Sequence, residues 1–314
     1  MTLLEAVPNV SEGRNPSVVT AIADAFASAG ARVLDTHLDG DHHRAVVTIV
    51  GDERALGDGL VAGIDAARRS IDLRRHDGVH PRVGAADVVP LVPLAAGDQG
   101  RAAELAHAVG ARVGSELGLP VFLYGEIRDG RRPAFFRHGG VRELEARMAA
   151  GELEPDYGPR RLDPGAGAVL VGVRKLLVAF NLELQGTFDT ARAVAAAVRE
   201  SSGGLPGVQA LALALRSGGV QVSTNVVDLD ATAPHVMVER IVEEAAARGA
   251  EVGRGELVGL IPARCVADAA LAAEVASPLD ARGVPTTAAR AAAARALRLE
   301  RLEPDRVLEW HLAG

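Results

Sequence analysis

Apolar and polar positions change their period several times along this 314-residue chain. Residues 3–10 (LLEAVPNV) form a short apolar run suited to a strand, and Asn15-Pro16-Ser17 then opens a helix with proline at a tolerated first-turn position. Helical spacing of apolar residues carries it to about Ala29, where Gly30 ends it. Apolar runs rich in β-branched residues predict strands at 31–37, 44–51 and 87–94, with a helix at 53–71. The order is strand, helix, strand, strand, helix, strand.

From residue 174 the same order begins again. RKLLVAFNLEL reads as a strand, 187–200 as a helix, GVQALALAL and GVQVSTNVV as two strands about Arg216-Ser217-Gly218-Gly219, 234–248 as a helix and ELVGLIP as a closing strand. VPNVSEG matches AFNLELQG, so that Asn9 corresponds to Asn181. The pattern predicts an α+β fold of two similar βαββαβ subdomains, residues 1–173 and 174–314, each a mixed sheet with helices on one face. Two such sheets would face each other through their bare sides, with a crevice between. The stretch joining the repeats predicts a helix at 99–116, a strand at PVFLYGE, a basic loop and a helix near 138–149. Glu154–Gly172 holds three prolines and four glycines, too many for regular structure, and is expected to be an ordered loop. The tail TTAARAAAARALRLERL predicts a packing helix.

Composition narrows the function. A net charge of −7 argues against nucleic-acid binding, which relies on many basic contacts to phosphate. The single cysteine, Cys265, forms no intramolecular disulfide, and its setting past a strand suggests an inert apolar-side thiol. No apolar run reaches the ~20 residues that span a bilayer, and no secretory leader pattern is visible, so a cytoplasmic enzyme is expected. Basic residues nevertheless cluster at Arg74/Arg75/Arg82, Arg128/Arg131/Arg132/Arg137, Arg160/Arg161 and Arg174/Lys175, a local positive basin suited to a small anionic ligand.

The densest chemistry lies in RRHDGVHPRVGAAD, residues 74–87, with three arginines and two histidines in one loop. His76 and His80 have helical spacing for a metal, but Gly78 and Pro81 break any helix and no carboxylate completes a ligand set. General acid–base work suits His80 better, since imidazole titrates near 6.5, Pro81 fixes the backbone before it, and Arg82 stands ready for an anionic substrate. His42 and His43, at a turn, are expected to be exposed. The glycines at 158, 165 and 167 make neither a dinucleotide fingerprint nor a phosphate loop, and with their interleaved arginines suit a flat polar heterocycle with a carboxylate tail. Phe180, Tyr157 and Phe122 are the aromatics that could stack on such a ring, each equally suited to a core.

VPNVSEGRN, RRHDGVHPRVGAADVVPLVP, VFLYGE, PDYGPRRLDPGAGAVLVGVRKLLVAFNLEL, VQVSTNVVDLDATAPH, ELVGLIP and DRVLEW occur in this order over almost the whole chain. Together they resemble the formiminotransferase family. The resemblance implies two α/β subdomains whose sheets face each other across a positively charged folate groove, tetrahydrofolate as co-substrate without a metal, a formimino group passed from N-formimino-L-glutamate to N5 of tetrahydrofolate, and a homodimer. It implies His80 of His-Pro-Arg as the catalytic histidine, Arg82 as a substrate contact, and a folate-binding segment at Gly158, Pro159, Arg160, Arg161, Leu162, Asp163, Pro164, Gly165, Ala166 and Gly167. Asn9 and His37 are implied beside the groove. His37 departs from the family, which can carry an acid there, with Asp35 and Asp39 near enough to substitute. No segment here resembles a cyclodeaminase domain, so deamination is expected to fall to another protein. Formyl transfer from N-formylglutamate, folate binding without turnover, and metal-dependent hydrolysis are the other readings to be tested.

Overall fold

The computed structural model describes residues 3–78, 80–216 and 218–313. Two compact units divide the chain, Met1–Lys175 and Leu176–Gly314.

The first unit runs β1 (Leu4–Ala6), β2 (Asn9–Val10), α1 (Pro16–Ala27), β3 (Arg32–Asp39), β4 (Arg44–Gly51), α2 (Glu53–Ser70), β5 (Ala86–Pro93), α3 (Gln99–Glu116), β6 (Val121–Tyr124), α4 (Pro133–Arg137), α5 (Gly140–Ala149) and β7 (Val169–Val173). The single strand expected at 3–10 is broken at Val7-Pro8, because proline has no N–H to give the ladder. The sheet survives the break: β1 and β2 both lie between β4 and β5. Beyond them β3 pairs with the far side of β4, and β7 then β6 extend the sheet in parallel from β5. Caps fix the helices where the sequence places them. The Asn15 side chain accepts from Ser17 N and Val18 N, and Asp52 accepts from Ala55 N.

Alternation along β4 sends Ala45, Val47 and Ile49 into a core with Ile22 and Phe26 of α1, Leu60 and Ile64 of α2 and Val109 of α3. Arg44, Val46 and Thr48 take the opposite face. Register puts Glu5, Asn9, Asp35, His37 and Asp39 on that same face. Part of it is covered: α4 and α5 pack Phe136, Leu144 and Met148 over Val88, Phe122 and Leu170 in a second, smaller core. Helices therefore occupy both sides of this sheet, where one side was expected.

The second unit runs β8 (Val178–Gln185), α6 (Phe188–Val198), β9 (Val208–Ala214), β10 (Val220–Val226), α7 (Pro234–Ala246), β11 (Glu251–Val258), α8 (Ala263–Ala272), α9 (Thr287–Ala296) and α10 (Leu308–Leu312). Its strands pair in the order β11-β8-β10-β9, all antiparallel, where a mixed sheet was expected. The parallel pairs belong to β6 and β7, additions that only the first unit carries. Both units otherwise share one plan, with the first strand between the third and fourth and the second at an edge, the split βαββαβ arrangement. Asn9 and Asn181 both sit buried on first strands, as the internal repeat implied. Some elements differ from expectation. The closing strand stops at Val258 because Gly259 turns with φ 79°, the tail helix stops at Ala296 before the positive φ of Arg298, and α8 is an additional alanine-rich helix. Ser217, expected in the β9–β10 turn, lies outside the described residues.

Candidate active site

The loop between α2 and β5 is built by its own polar groups. Asp72 accepts from Arg74 N and caps a single 3-10 turn at Leu73–Arg75. Arg82 then gathers the loop. Its Nη1 donates to His43 O (2.9 Å) and to His76 Nε2 (2.7 Å), and its Nη2 to His42 O (2.9 Å) and His80 O (2.6 Å). The Arg82 guanidinium thus ties residues 76–82 onto the β3–β4 turn. Val83 N and Gly84 N donate to Asp87 Oδ1 at 2.7 and 3.3 Å, while Asp87 Oδ2 takes Nη2 of Arg137 from α4 at 2.5 Å. Asp87 is 3% exposed, so these bonds are held away from water.

His80 is recessed within this frame, and Nη1 of Arg44 lies 2.6 Å from its Nε2. A guanidinium only donates, so Nε2 is an acceptor and the ring is neutral with its proton on Nδ1. Burial first, then the charges of Arg44 and Arg137, hold His80 well below the ordinary 6.5 of imidazole. Burial with Arg82 takes His76 down to about 4, and burial takes Arg44 down to about 9. A neutral histidine among cations is a base that stays unprotonated through mildly acidic pH. Arg44→Met should raise the His80 pKa towards 6.5 and shift the acid limb of a kcat/KM–pH profile upward by the same direction; an unmoved limb would show that Arg44 does not set this base. Depressed imidazole pKa values also mean that the unfolded chain binds more protons, so stability should be full above 6.5 and be lost as pH falls towards about 4, read from chemical denaturation at several pH values.

A cavity of about 240 Å³ opens beside these groups, lined by His76, Gly78, His80 and Arg82, with Leu73 and the first two residues of α5, Gly140 and Val141. First-turn amides of a helix have no intrahelical partner and favour negative charge. The cavity is therefore bounded by an imidazole base, a guanidinium and a helix N-terminus.

The glycine-rich segment reaches this loop at one end. Leu73 N donates to Gly165 O, Ala85 N to Ala166 O, and Ala168 N to Val83 O, at 2.8, 2.8 and 2.9 Å. Gly167, at φ +71°, has no room for a Cβ beside the Val83 carbonyl. Asp163 is spent inside its own turn, accepting from Gly165 N and Ala166 N. Leu162 and Ala166 are buried core residues, whereas Gly158, Arg160, Arg161 and Pro164 are exposed, with Arg160 paired to Glu154, and Pro159 is half-buried. The Gly158 end lies elsewhere, against Leu119 and Gly114 at the end of α3. Tyr157 holds it there, its hydroxyl 2.8 Å from His107 Nδ1 and its ring over Gly110. Phe122 and Phe180 are core residues at 1% and 0% exposure. His37 and Asn9 share the polar sheet face with Arg44 and do not line the cavity.

His42, expected at the surface, is 6% exposed. Arg82 draws the loop across its carbonyl, and Asp39 Oδ2 takes its Nδ1 at 2.7 Å. Asp39 bonds His42 through both carboxylate oxygens, and its charge also interacts with His37. Arg44 and Asp87 were not singled out from the sequence, and Arg137 only as a member of a basic cluster. Arg44 opens an apolar strand and reads locally as a solvated end; the only available signal was a guanidinium beside two histidines. Among the described residues no group of three or more His, Cys, Asp or Glu side chains could hold a metal ion.

A model of the formiminotransferase domain, N-terminal subdomain, matches residues 3–174, and a model of the formiminotransferase domain matches residues 179–273. The chain belongs to the formiminotransferase family. A glutamate formimidoyltransferase of Thermoplasma acidophilum is 38% identical over 280 residues, covering 86% of this chain and 91% of that protein. The one from Streptococcus pyogenes serotype M1 is 34% identical, covering 85% and 92%. The formimidoyltransferase-cyclodeaminase of Sus scrofa is 38% identical over 85% of this chain but only 52% of its own length. In this formiminotransferase both subdomain matches fall within the two compact units, and the first contains the whole His80 cavity.

Proposed function

We infer that this chain is a glutamate formimidoyltransferase, moving the formimino group of N-formimino-L-glutamate to N5 of tetrahydrofolate. What carries the reading is the match to proteins of that name along most of both chains, with His80 held neutral at a cavity of small-molecule size. N5 attacks the formimino carbon and loses its proton as the N–C bond forms. His80 takes that proton and returns it to the glutamate nitrogen as the old C–N bond breaks, so no proton is gained or lost overall. The donor carboxylates suit the positive boundary formed by Arg82 and the first turn of α5. Arg82 acts chiefly by holding the loop, since its Nη groups already serve protein acceptors.

We place tetrahydrofolate along residues 158–167, with Asn9 and His37 on the neighbouring sheet face, and take residues 1–173 and 174–314 as the two subdomains. A cytoplasmic homodimer needing no metal completes the proposal. The deciding experiment is a spectrophotometric turnover assay with tetrahydrofolate and either formiminoglutamate or formylglutamate, before and after chelator treatment. Turnover with the formimino donor that survives chelation is expected. Turnover only with the formyl donor, or binding without product, would replace the reading, and light scattering tests the dimer.

A further inference from the structure

His80 sits where an acquired proton is badly placed. Burial first, and then Arg44, Arg137, His42 and Arg82, oppose a charge on its ring. Yet the transfer inferred above, on which this inference rests, requires a proton to be held between attack and collapse. The neighbouring imidazole is differently situated. His42 Nδ1 lies 2.7 Å from Asp39 Oδ2, and Asp39 Oδ1 accepts from His42 N at 2.8 Å. Oδ2 thus orients the ring while Oδ1 holds its backbone, and the burial that works against the Asp39 carboxylate is outweighed by these bonds, leaving it ionised below its ordinary range. The other ring nitrogen, Nε2, is buried and has no hydrogen-bond partner among the described residues. The His42 and His80 ring centroids are 5.9 Å apart.

We propose that Asp39 and His42 form the outer half of a two-histidine proton relay, acting through His80 on the transferred proton. A turn-capping role alone would account for Asp39 Oδ1 and His42 N. It would not account for a second, carboxylate-oriented imidazole nitrogen buried without a partner beside the base. In the relay, Arg44 Nη1 gives up its bond to His80 Nε2, which accepts the N5 proton, and His80 Nδ1 releases its proton to His42 Nε2. The imidazolium then rests against Asp39, away from the cavity cations, and the path reverses when the glutamate nitrogen departs. Asp39 and His42 are positioning residues in this scheme, since neither lines the cavity. The titratable and charged groups about the Asp39–His42 pair are His37 on β3 and Arg44 on β4, which act on Asp39, and His80 and Arg82 from the loop, with Arg82 bonded to the His42 carbonyl.

The test measures kcat, KM and pH profiles of H42Q and D39N with formiminoglutamate and tetrahydrofolate. H42Q should lower kcat by about 10²-fold, the lower range for a single proton-transfer group. KM should stay within about threefold, because substrate contacts are intact. D39N, which keeps both imidazoles in place, should lower kcat in the same direction and shift the acid limb of its pH profile, which a merely structural role would not do. Wild-type protein without turnover would overturn the transferase reading itself. Active wild type with unchanged H42Q kcat overturns the relay alone. If H42Q melts early, D39N decides: a wild-type kcat and pH profile there also overturns the relay.

Discussion

Replacing His80 by alanine is expected to reduce kcat by about 10²- to 10⁴-fold, the span typical of a lost general base. Tetrahydrofolate affinity should stay near wild type, because the backbone bonds between residues 163–168 and residues 73–85 do not involve the imidazole. Titrating tetrahydrofolate into the variant by fluorescence or calorimetry, alongside the turnover assay, separates the two effects. Wild-type turnover would remove His80 from the chemistry. Parallel loss of turnover and folate affinity would make it a binding residue instead.

Asp87→Ala should be the most destabilising single change in the loop. The carboxylate is 3% exposed and satisfies Val83 N, Gly84 N and the Arg137 guanidinium together. Removing one partner of a buried, hydrogen-bonded ion pair costs about 3–5 kcal/mol, mostly through the charge left uncompensated. Urea unfolding at neutral pH should show that loss, and kcat should fall as the segment carrying His80 slackens. A change below about 1 kcal/mol, the worth of an exposed pair, would mean that water replaces the carboxylate and that the loop is held mainly by Arg82.

These two residues differ in how readily the sequence yields them. His80 draws notice in the sequence because arginine, glycine and proline crowd about it in one loop. Asp87 reads as the polar first residue of a strand, and its three partners depend on a bulge and on a helix far along the chain. Arg44 and His80 are separated by 36 positions, and nothing local links them. Elements with local signals were legible: β4 and α2 begin and end within a residue of expectation because alternation and the Asp52 cap specify them. β7 was not, because its five apolar residues follow directly on a run of glycine and proline that reads as loop. His42 was misplaced for a related reason. A His-His pair at a turn looks solvated until a distant guanidinium closes over its carbonyls.

The apolar interiors of the two units are made from separate stretches of chain, one ending at Val173 and the other beginning at Val178. Domains of a growing polypeptide close in order of synthesis. Every described residue bounding the His80 cavity belongs to the earlier stretch, so the nascent chain can assemble the loop that carries His80 on the ribosome before the later half has been translated.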